Sequence, residues 1–348
     1  MGWRWTDSPG LAVMPGTAPV RVTEWARAAE QAGLGSLWIV EDYFNPGAFA
    51  LAGAAAAVTE RLVIGLGVVN PYTRHPALVA METAALAGLA PGRIVLGLGS
   101  SNRRWIEEQL GIPFKSPLET LRESVAVVRR LLAGERLTLD GAAFHLRDVA
   151  LDVPPAGPPV PVFLGVKGPK ALRLAGEIAD GVHCSVLSSP GHVRRVRVTT
   201  AEARRAAGRR GAFPVIAYVP VVIDADRAAA HARLRPFVGG YLALLHGQSI
   251  LADAGVPAAL SLAAREALAR GEAPGPLVPD ELVEVFAVAG SPDDCRRALT
   301  GWADAGLAAP IAVPVPGIDV IEQLRRFRET LVPAWQALAA RRRTDGGS

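Results

Sequence analysis

Glu41, Asp42 and Tyr43 follow one another directly after the apolar run Leu37-Trp-Ile-Val40, so two carboxylates and a phenol stand where a strand gives way to a loop. Such groups can donate or accept a proton during a reaction; the plainer use of Asp42 is to cap the next helix. A second run, Gly65-Leu-Gly67-Val68-Val69-Asn70-Pro71-Tyr72-Thr73-Arg74-His75-Pro76, passes from a strand into a turn packed with hydrogen-bonding side chains. His75 is its natural acid or base near neutral pH, and it can equally be a cap or a satisfied buried imidazole. In the third run, Arg93-Ile-Val-Leu-Gly97-Leu-Gly99-Ser100-Ser101-Asn102, two glycines let the backbone approach a ligand and small hydroxyls follow. The third glycine of a dinucleotide fingerprint is missing, as is a ribose-binding acid at the required spacing. The fourth run is Val162-Phe-Leu-Gly165-Val166-Lys167-Gly168-Pro169-Lys170-Ala171-Leu172, a strand, a glycine-rich turn and a helix start. Free amides at a helix N-terminus, reinforced by Lys167 and Lys170, suit an anion such as phosphate, while an ordinary tight turn with solvated lysines has the same sequence.

These runs need a scaffold that gathers strand ends. Short β-rich runs alternate with longer Ala/Leu/Arg segments of helical spacing, which is the parallel-sheet signature. Strands are predicted over Leu11–Met14, Ser36–Val40, Leu62–Val69, Arg93–Leu98, Val160–Gly165, Gly181–Cys184, Pro214–Val222 and Ala309–Val313. Eight such strands close a TIM (β/α)8 barrel, whose ligand-contacting residues sit at the carboxyl ends of the strands. Between them, Val20–Ala32 carries one apolar face and stops at Gly33, while Pro76 and Pro117 open further helices at the favoured first-turn position. Two stretches exceed the repeat. Residues 137–161 read as a hairpin around Asp140-Gly141 with a proline-rich return, and residues 225–286 as a helical insertion or lid before the last strand. One domain over 1–335 and a solvated C-terminal tail over 336–348 are expected.

Composition narrows the function. Of 348 residues 50% are hydrophobic and 20% charged, and the net charge of +4 is spread along the chain apart from Arg341 to Arg343, so nothing calls for nucleic acid. The longest apolar run, Ala48 to Val58, is about half the roughly 20 residues of a membrane span. An N-terminus that carries an acid, Asp7, and has no apolar core segment reads as having no signal peptide, which makes the cytoplasm the expected location. Cys184 and Cys295 lack the spacing of a metal site and are expected to pack as small apolar residues, with no metal. A homodimer is the expected assembly on symmetry grounds, and a small molecule the expected substrate.

Taken together, Ala28 to Glu41, Gly67 to Pro76, Gly92 to Gly99 and Gly168 to Gly181 resemble the bacterial luciferase-like oxidoreductases over about Leu11 to Leu331. The Asn-Pro-Tyr-Thr-Arg-His-Pro and Gly-Pro-Lys blocks are most similar to the deazaflavin (coenzyme F420) branch, typified by methylenetetrahydromethanopterin reductase. The resemblance implies a barrel holding the deazaflavin ring at its carboxyl mouth. Asp42 would face the ring, Gly67 and Val68 would form a bulge behind it through a non-prolyl cis peptide, and Asn70 would touch the cofactor. Gly99, Ser100 and Ser101 would line the next wall, and Val166, Lys167, Gly168, Lys170 and Ala171 would receive the phosphate end.

The resemblance also has limits. Sugar-phosphate dehydrogenases of this kind place a His after the aspartate and a Glu after the fourth-strand glycines, where this chain has Tyr43 and Asn102; their phosphate-gripping Lys is absent from His183-Cys-Ser-Val-Leu-Ser188. A non-phosphorylated substrate with an electron-poor C=C or C=N group is therefore expected for hydride transfer, with any proton coming from Tyr43, Glu41 or His75 in that order. An FMN-dependent monooxygenase is the alternative, and an inactive cofactor-binding barrel a second one.

Overall fold

The computed structural model describes residues 3–345. In chain order the strands are β1 (Gly10–Val13), β2 (Ser36–Ile39), β3 (Val63–Val69), β4 (Ile94–Leu98), β5 (Leu137–Asp140), β6 (His145–Val149), β7 (Val162–Leu164), β8 (Gly181–Cys184), β9 (Val215–Ile223), β10 (Val288–Gly290) and β11 (Ala309–Val313). All pairings but β5–β6 are parallel, and the order β1-β2-β3-β4-β7-β8-β9-β11 returns to β1, so eight strands close a TIM barrel with helices between them. The eight expected strands are all present, within two residues at either end.

The barrel strands are buried on both faces, as a sheet wrapped in helices requires. Their outward side chains meet apolar helix faces such as Val22, Ala26 and Ala29 of Pro19–Gln31, a helix followed by Gly33 at φ +82°. The inward ones form an aromatic plug at the lower end. Trp38 and Phe163 lie 6.0 Å apart, and Trp5 and Trp3 close on them from below at 6.0 Å and 5.6 Å. With its base filled, the barrel can receive a ligand only at the carboxyl mouth.

The expected hairpin is β5–β6, with Asp140 opposite His145, and the Glu123 carboxylate accepts from the amides of Ala142, Ala143 and Phe144 in its turn. The insertion comprises helices Arg227–Leu244, Ser249–Asp253, Ala258–Ala269 and Asp280–Phe286. Two features differ from the sequence reading. β10, a ninth strand, pairs with the outer end of β9, Val288 opposite Val221; at three residues it is too short to show a period of its own. The expected tail instead continues the last helix, Leu331–Asp345. Trp335 donates to the Thr6 carbonyl at 3.1 Å, Gln336 to the Ser8 hydroxyl at 2.9 Å, and Ala339 is buried, so the apolar side of this helix covers the barrel base; only residues 346–348 of the tail lie outside the described chain. Among the described residues no helix is long and apolar enough to cross a membrane. Both cysteines are buried and free.

Candidate active site

The mouth is organised by an irregularity in β3. Leu66 pairs with Leu96 and Val69 with Leu98, so Gly67 and Val68 together face one residue of β4, and the peptide between them is cis. Glycines accommodate Val68 on β4 and at the end of β7. A Cβ on Gly97, Gly99 or Gly165 would come within 3.0, 2.6 and 2.7 Å of a Val68 methyl. Inside the barrel, a Cβ on Gly67 would lie 2.5 Å from the Tyr218 hydroxyl and 2.7 Å from the His183 ring. Tyr218 donates instead to the Gly67 carbonyl at 2.8 Å. The bulge thus holds a valine on a floor that has no other side chains in its way.

Beside it, the three residues after β2 have separate duties. Glu41 takes a bidentate ion pair from Arg74 (2.9 and 3.1 Å) and accepts from the Ala48 amide at 3.2 Å, so Glu41 rather than Asp42 serves the start of the next helix. Asp42 accepts from the Tyr43 amide at 2.9 Å, and burial pushes its carboxyl above the usual range. The Tyr43 ring leans on Trp105 at 5.0 Å, and its buried hydroxyl, near the side chains of Ser101 and Asn70, makes no well-formed hydrogen bond. Burial raises that phenol to about 12, so it keeps its proton at neutral pH.

Ser101, from the third run, also has a buried, unpartnered hydroxyl, and its backbone sits in the left-handed region at φ +60°. A non-glycine residue held there reflects a conformation imposed by its surroundings. Asn70 is buried and accepts from the amides of Tyr72 (3.1 Å) and Thr73 (3.0 Å) while donating to the Thr73 hydroxyl (2.8 Å), so it builds the turn. His75 lies further out. It is exposed, caps the helix Pro76–Leu89 through Nδ1 at 3.2 Å from the Ala77 amide, and meets Phe144 edge-on.

The fourth run brings Val166, Lys167 and Gly168 to the end of β7, with the Gly165 amide tied to the Leu98 carbonyl at 2.8 Å. Gly168 precedes the helix Pro169–Ile178 without a side-chain cap. Lys167 is partly buried, and desolvation lowers its pKa with no countering carboxylate. Ala171 is half-buried, whereas Lys170 points to solvent. A desolvated cation beside uncapped amides has the chemistry to attract an anion.

Several residues here were not singled out from sequence. His183 is buried between Trp38 (4.6 Å) and Tyr218 (4.1 Å), both ring nitrogens lack partners, and burial depresses it to about 3. Period-two alternation in Gly181-Val-His-Cys184 was the available signal. Tyr241, on the insertion helix Arg227–Leu244, packs against Phe237 at 4.9 Å with the rings tilted; burial, chiefly, and the charge of Asp42 raise it to about 12. A cavity of about 650 Å³ at the opposite end, bounded by Val160, Asp180 and Ala212 just before three strands, does not meet any of these groups. No three His, Cys, Asp or Glu among the described residues could share a metal.

The profile of the luciferase-like monooxygenase family matches residues 3–309. The chain belongs to this family, and with it to the oxidoreductases. Among its relatives is the 5,10-methylenetetrahydromethanopterin reductase of Methanolobus tindarius, 31% identical over 87% of this chain and 93% of that one. An F420-dependent glucose-6-phosphate dehydrogenase of Beutenbergia cavernae is 40% identical, over 48% of this chain and 53% of its own. The structure of the coenzyme F420 dependent tetrahydromethanopterin reductase from Methanopyrus kandleri superposes with a TM-score of 0.85 at 25% identity, covering 94% of this chain and 99% of that one. The luciferase-like barrel expected from the sequence is thus the fold found.

Proposed function

We propose that the protein is an F420-dependent oxidoreductase that transfers a hydride between the deazaflavin and an electron-poor C=C or C=N group of a small, non-phosphorylated substrate. The observation that carries this reading is the Val68 seat, a single apolar side chain presented on three glycines at the barrel mouth. It suits the face of a flat ring. Relatives named as F420-dependent support the same cofactor. The residues fit such a group at both ends, since the Ser101 hydroxyl is buried without a partner and Lys167 is a desolvated cation without a counter-charge.

When bound, reduced F420 supplies the hydride. The chain's part is to hold and to exclude water. Val68 backs the ring, Asp42, Ser100 and Ser101 flank it with Gly99 leaving room, and Asn70 fixes the turn that frames it. Val166, Lys167, Gly168 and Ala171 take the phosphate end, with Lys170 adding charge from the rim. In this reading Tyr43, protonated at neutral pH with its Oη unpartnered, donates the proton to the substrate. Glu41 and His75 are committed to Arg74 and to a helix cap, which leaves Tyr43 as the proton carrier. Against a sugar-phosphate substrate stands Asn102, which accepts from the Trp105 amide at 3.1 Å and starts the next helical turn where those enzymes carry a carboxylate.

The test is a titration of the purified protein with oxidised F420 and, separately, with FMN, following cofactor fluorescence. Tight binding of the oxidised deazaflavin alone is expected and, in a separate assay with chemically reduced F420, oxidation of the cofactor on adding electron-poor alkenes or imines. Preference for FMN, with oxygen consumed once the bound flavin is chemically reduced, would replace this reading with a monooxygenase, and F420 binding without turnover of its reduced form across such a panel would leave a cofactor carrier.

A further inference from the structure

Strands β7 and β8 are neighbours, Leu164 opposite Val182, and the helices that follow them, Pro169–Ile178 and Pro190–Ala206, pack closely enough that a Cβ on Gly176 would lie 2.7 Å from that of Ala203. Because each helix follows the carboxyl end of its strand, the two start side by side at the barrel mouth, and the Gly176–Ala203 contact joins them near their far ends. Lys167 stands two residues before the first, and His192 is the third residue of the second. His192 is fully buried. Its Nδ1 lies 2.7 Å from Oδ2 of Asp253, whose other oxygen takes Arg195 at 2.7 Å, and its Nε2 has no partner. Asp253 ends the insertion helix Ser249–Asp253, and its carbonyl seats against Gly191, where a Cβ would approach to 2.6 Å.

An ionised Asp253 fixes the tautomer. Nδ1 carries the hydrogen and donates, so a neutral ring presents a lone pair at Nε2. A phosphate oxygen also offers only lone pairs, and the two would repel unless Nε2 gains a hydrogen. The charged groups facing the ring are Asp253 from the insertion, Arg195 from its own helix and Lys167 from the β7 turn. With the imidazole neutral they sum to one positive charge, and desolvation keeps the ring unprotonated. An arriving anion supplies the missing counter-charge.

We propose that His192 is the proton-linked member of the anion subsite, taking one proton from solvent onto Nε2 when an organic phosphate seats beside Lys167. This rests on the F420 reading, and deepens it by making the Asp253 end of the insertion sense whether the phosphate is in place. Protonation turns Nε2 into a donor toward the anion and strengthens the bond from Nδ1 to Asp253, tightening the insertion onto the loaded barrel.

Calorimetric titration with oxidised F420 in buffers of different ionisation enthalpy, from about pH 5.5 to 8, counts the protons taken up. Wild type is expected to take up about half a proton or more within this range, with affinity falling up to about tenfold per pH unit where uptake is greatest. The riboflavin-like fragment of the cofactor, which lacks the phosphate, should bind with no uptake. His192→Asn should abolish the uptake and flatten the pH profile, and Asp253→Asn should reduce both; unchanged fragment affinity certifies that each variant is folded. F420 binding with no uptake anywhere in the range overturns the proposal and leaves the cofactor assignment standing. Uptake undiminished in His192→Asn also overturns it, because another group would then be the carrier. If wild type binds FMN and not F420, the function reading fails, whatever the proton count.

Discussion

Tyr218 and Gly67 lie 151 residues apart, and the phenol of one donates to the carbonyl of the other at 2.8 Å across the inside of the barrel. That bond ties β9 to the bulge of β3, directly over the aromatic plug. Removing the hydroxyl leaves a buried carbonyl short of a donor, a loss of about 1 kcal/mol or more. Tyr218→Phe should therefore melt a few degrees lower than wild type and bind F420 more weakly, because the seat of the ring is less firmly held. A variant matching wild type in both melting temperature and affinity would show the bond to be incidental.

Tyr43 behaves in the opposite way. Its hydroxyl is buried and has no partner to lose, so Tyr43→Phe should leave the melting temperature unchanged or raise it slightly. Affinity for F420 should stay within about twofold while turnover falls about 100-fold, the usual range for losing a positioned proton donor. Since the phenol is raised to about 12, wild type should show no alkaline loss of activity from this group below about pH 10. An unchanged turnover number would remove Tyr43 from the reaction.

His183 gives the fold a dependence on pH. Its folded-state pKa of about 3 lies below the ordinary 6.5, so the unfolded chain binds a proton that the native ring does not. Its contribution is then complete above about pH 6.5 and is lost as the pH falls toward 3, at up to about 1.4 kcal/mol per pH unit. His183→Leu should resist denaturant better than wild type at pH 5, by more than any difference at pH 8. Parallel stability curves for the two proteins would show that the ring finds a partner and is not depressed.

The eight barrel strands, proline-initiated helices and the hairpin were legible because each carries its own local pattern or turn residue. So was the bulge, through a family pattern around Gly67, and the backbone bears it out. What could not be read depends on side chains meeting across the barrel. Nothing near Glu41 in the chain announces that Arg74 will occupy it, and nothing near His192 announces Asp253. The helix after residue 335 was hidden because a run of arginines reads as solvated, whereas Trp335 and Ala339 supply a buried stripe at helical spacing. His183 was passed over for a related reason, since a polar residue inside a strand shows its meaning only when the opposite walls, Trp38 and Tyr218, are in place.

Lys167 sets stability against binding. Burying its ammonium without a counter-charge is unfavourable in the empty protein, and the same desolvation strengthens its hold on an anion once one is seated. Lys167→Met keeps the length and apolar stem of the side chain while removing the charge. The cofactor-free variant should accordingly melt at the same temperature as wild type or higher. Its affinity for F420 should fall about 10- to 100-fold, the worth of one charge-assisted hydrogen bond, and should become less sensitive to salt. The phosphate-free fragment should bind both proteins equally. Equal losses for F420 and the fragment would instead mean that Lys167 supports the ring or the wall around it, and the anion seat at the end of β7 would have to be placed elsewhere.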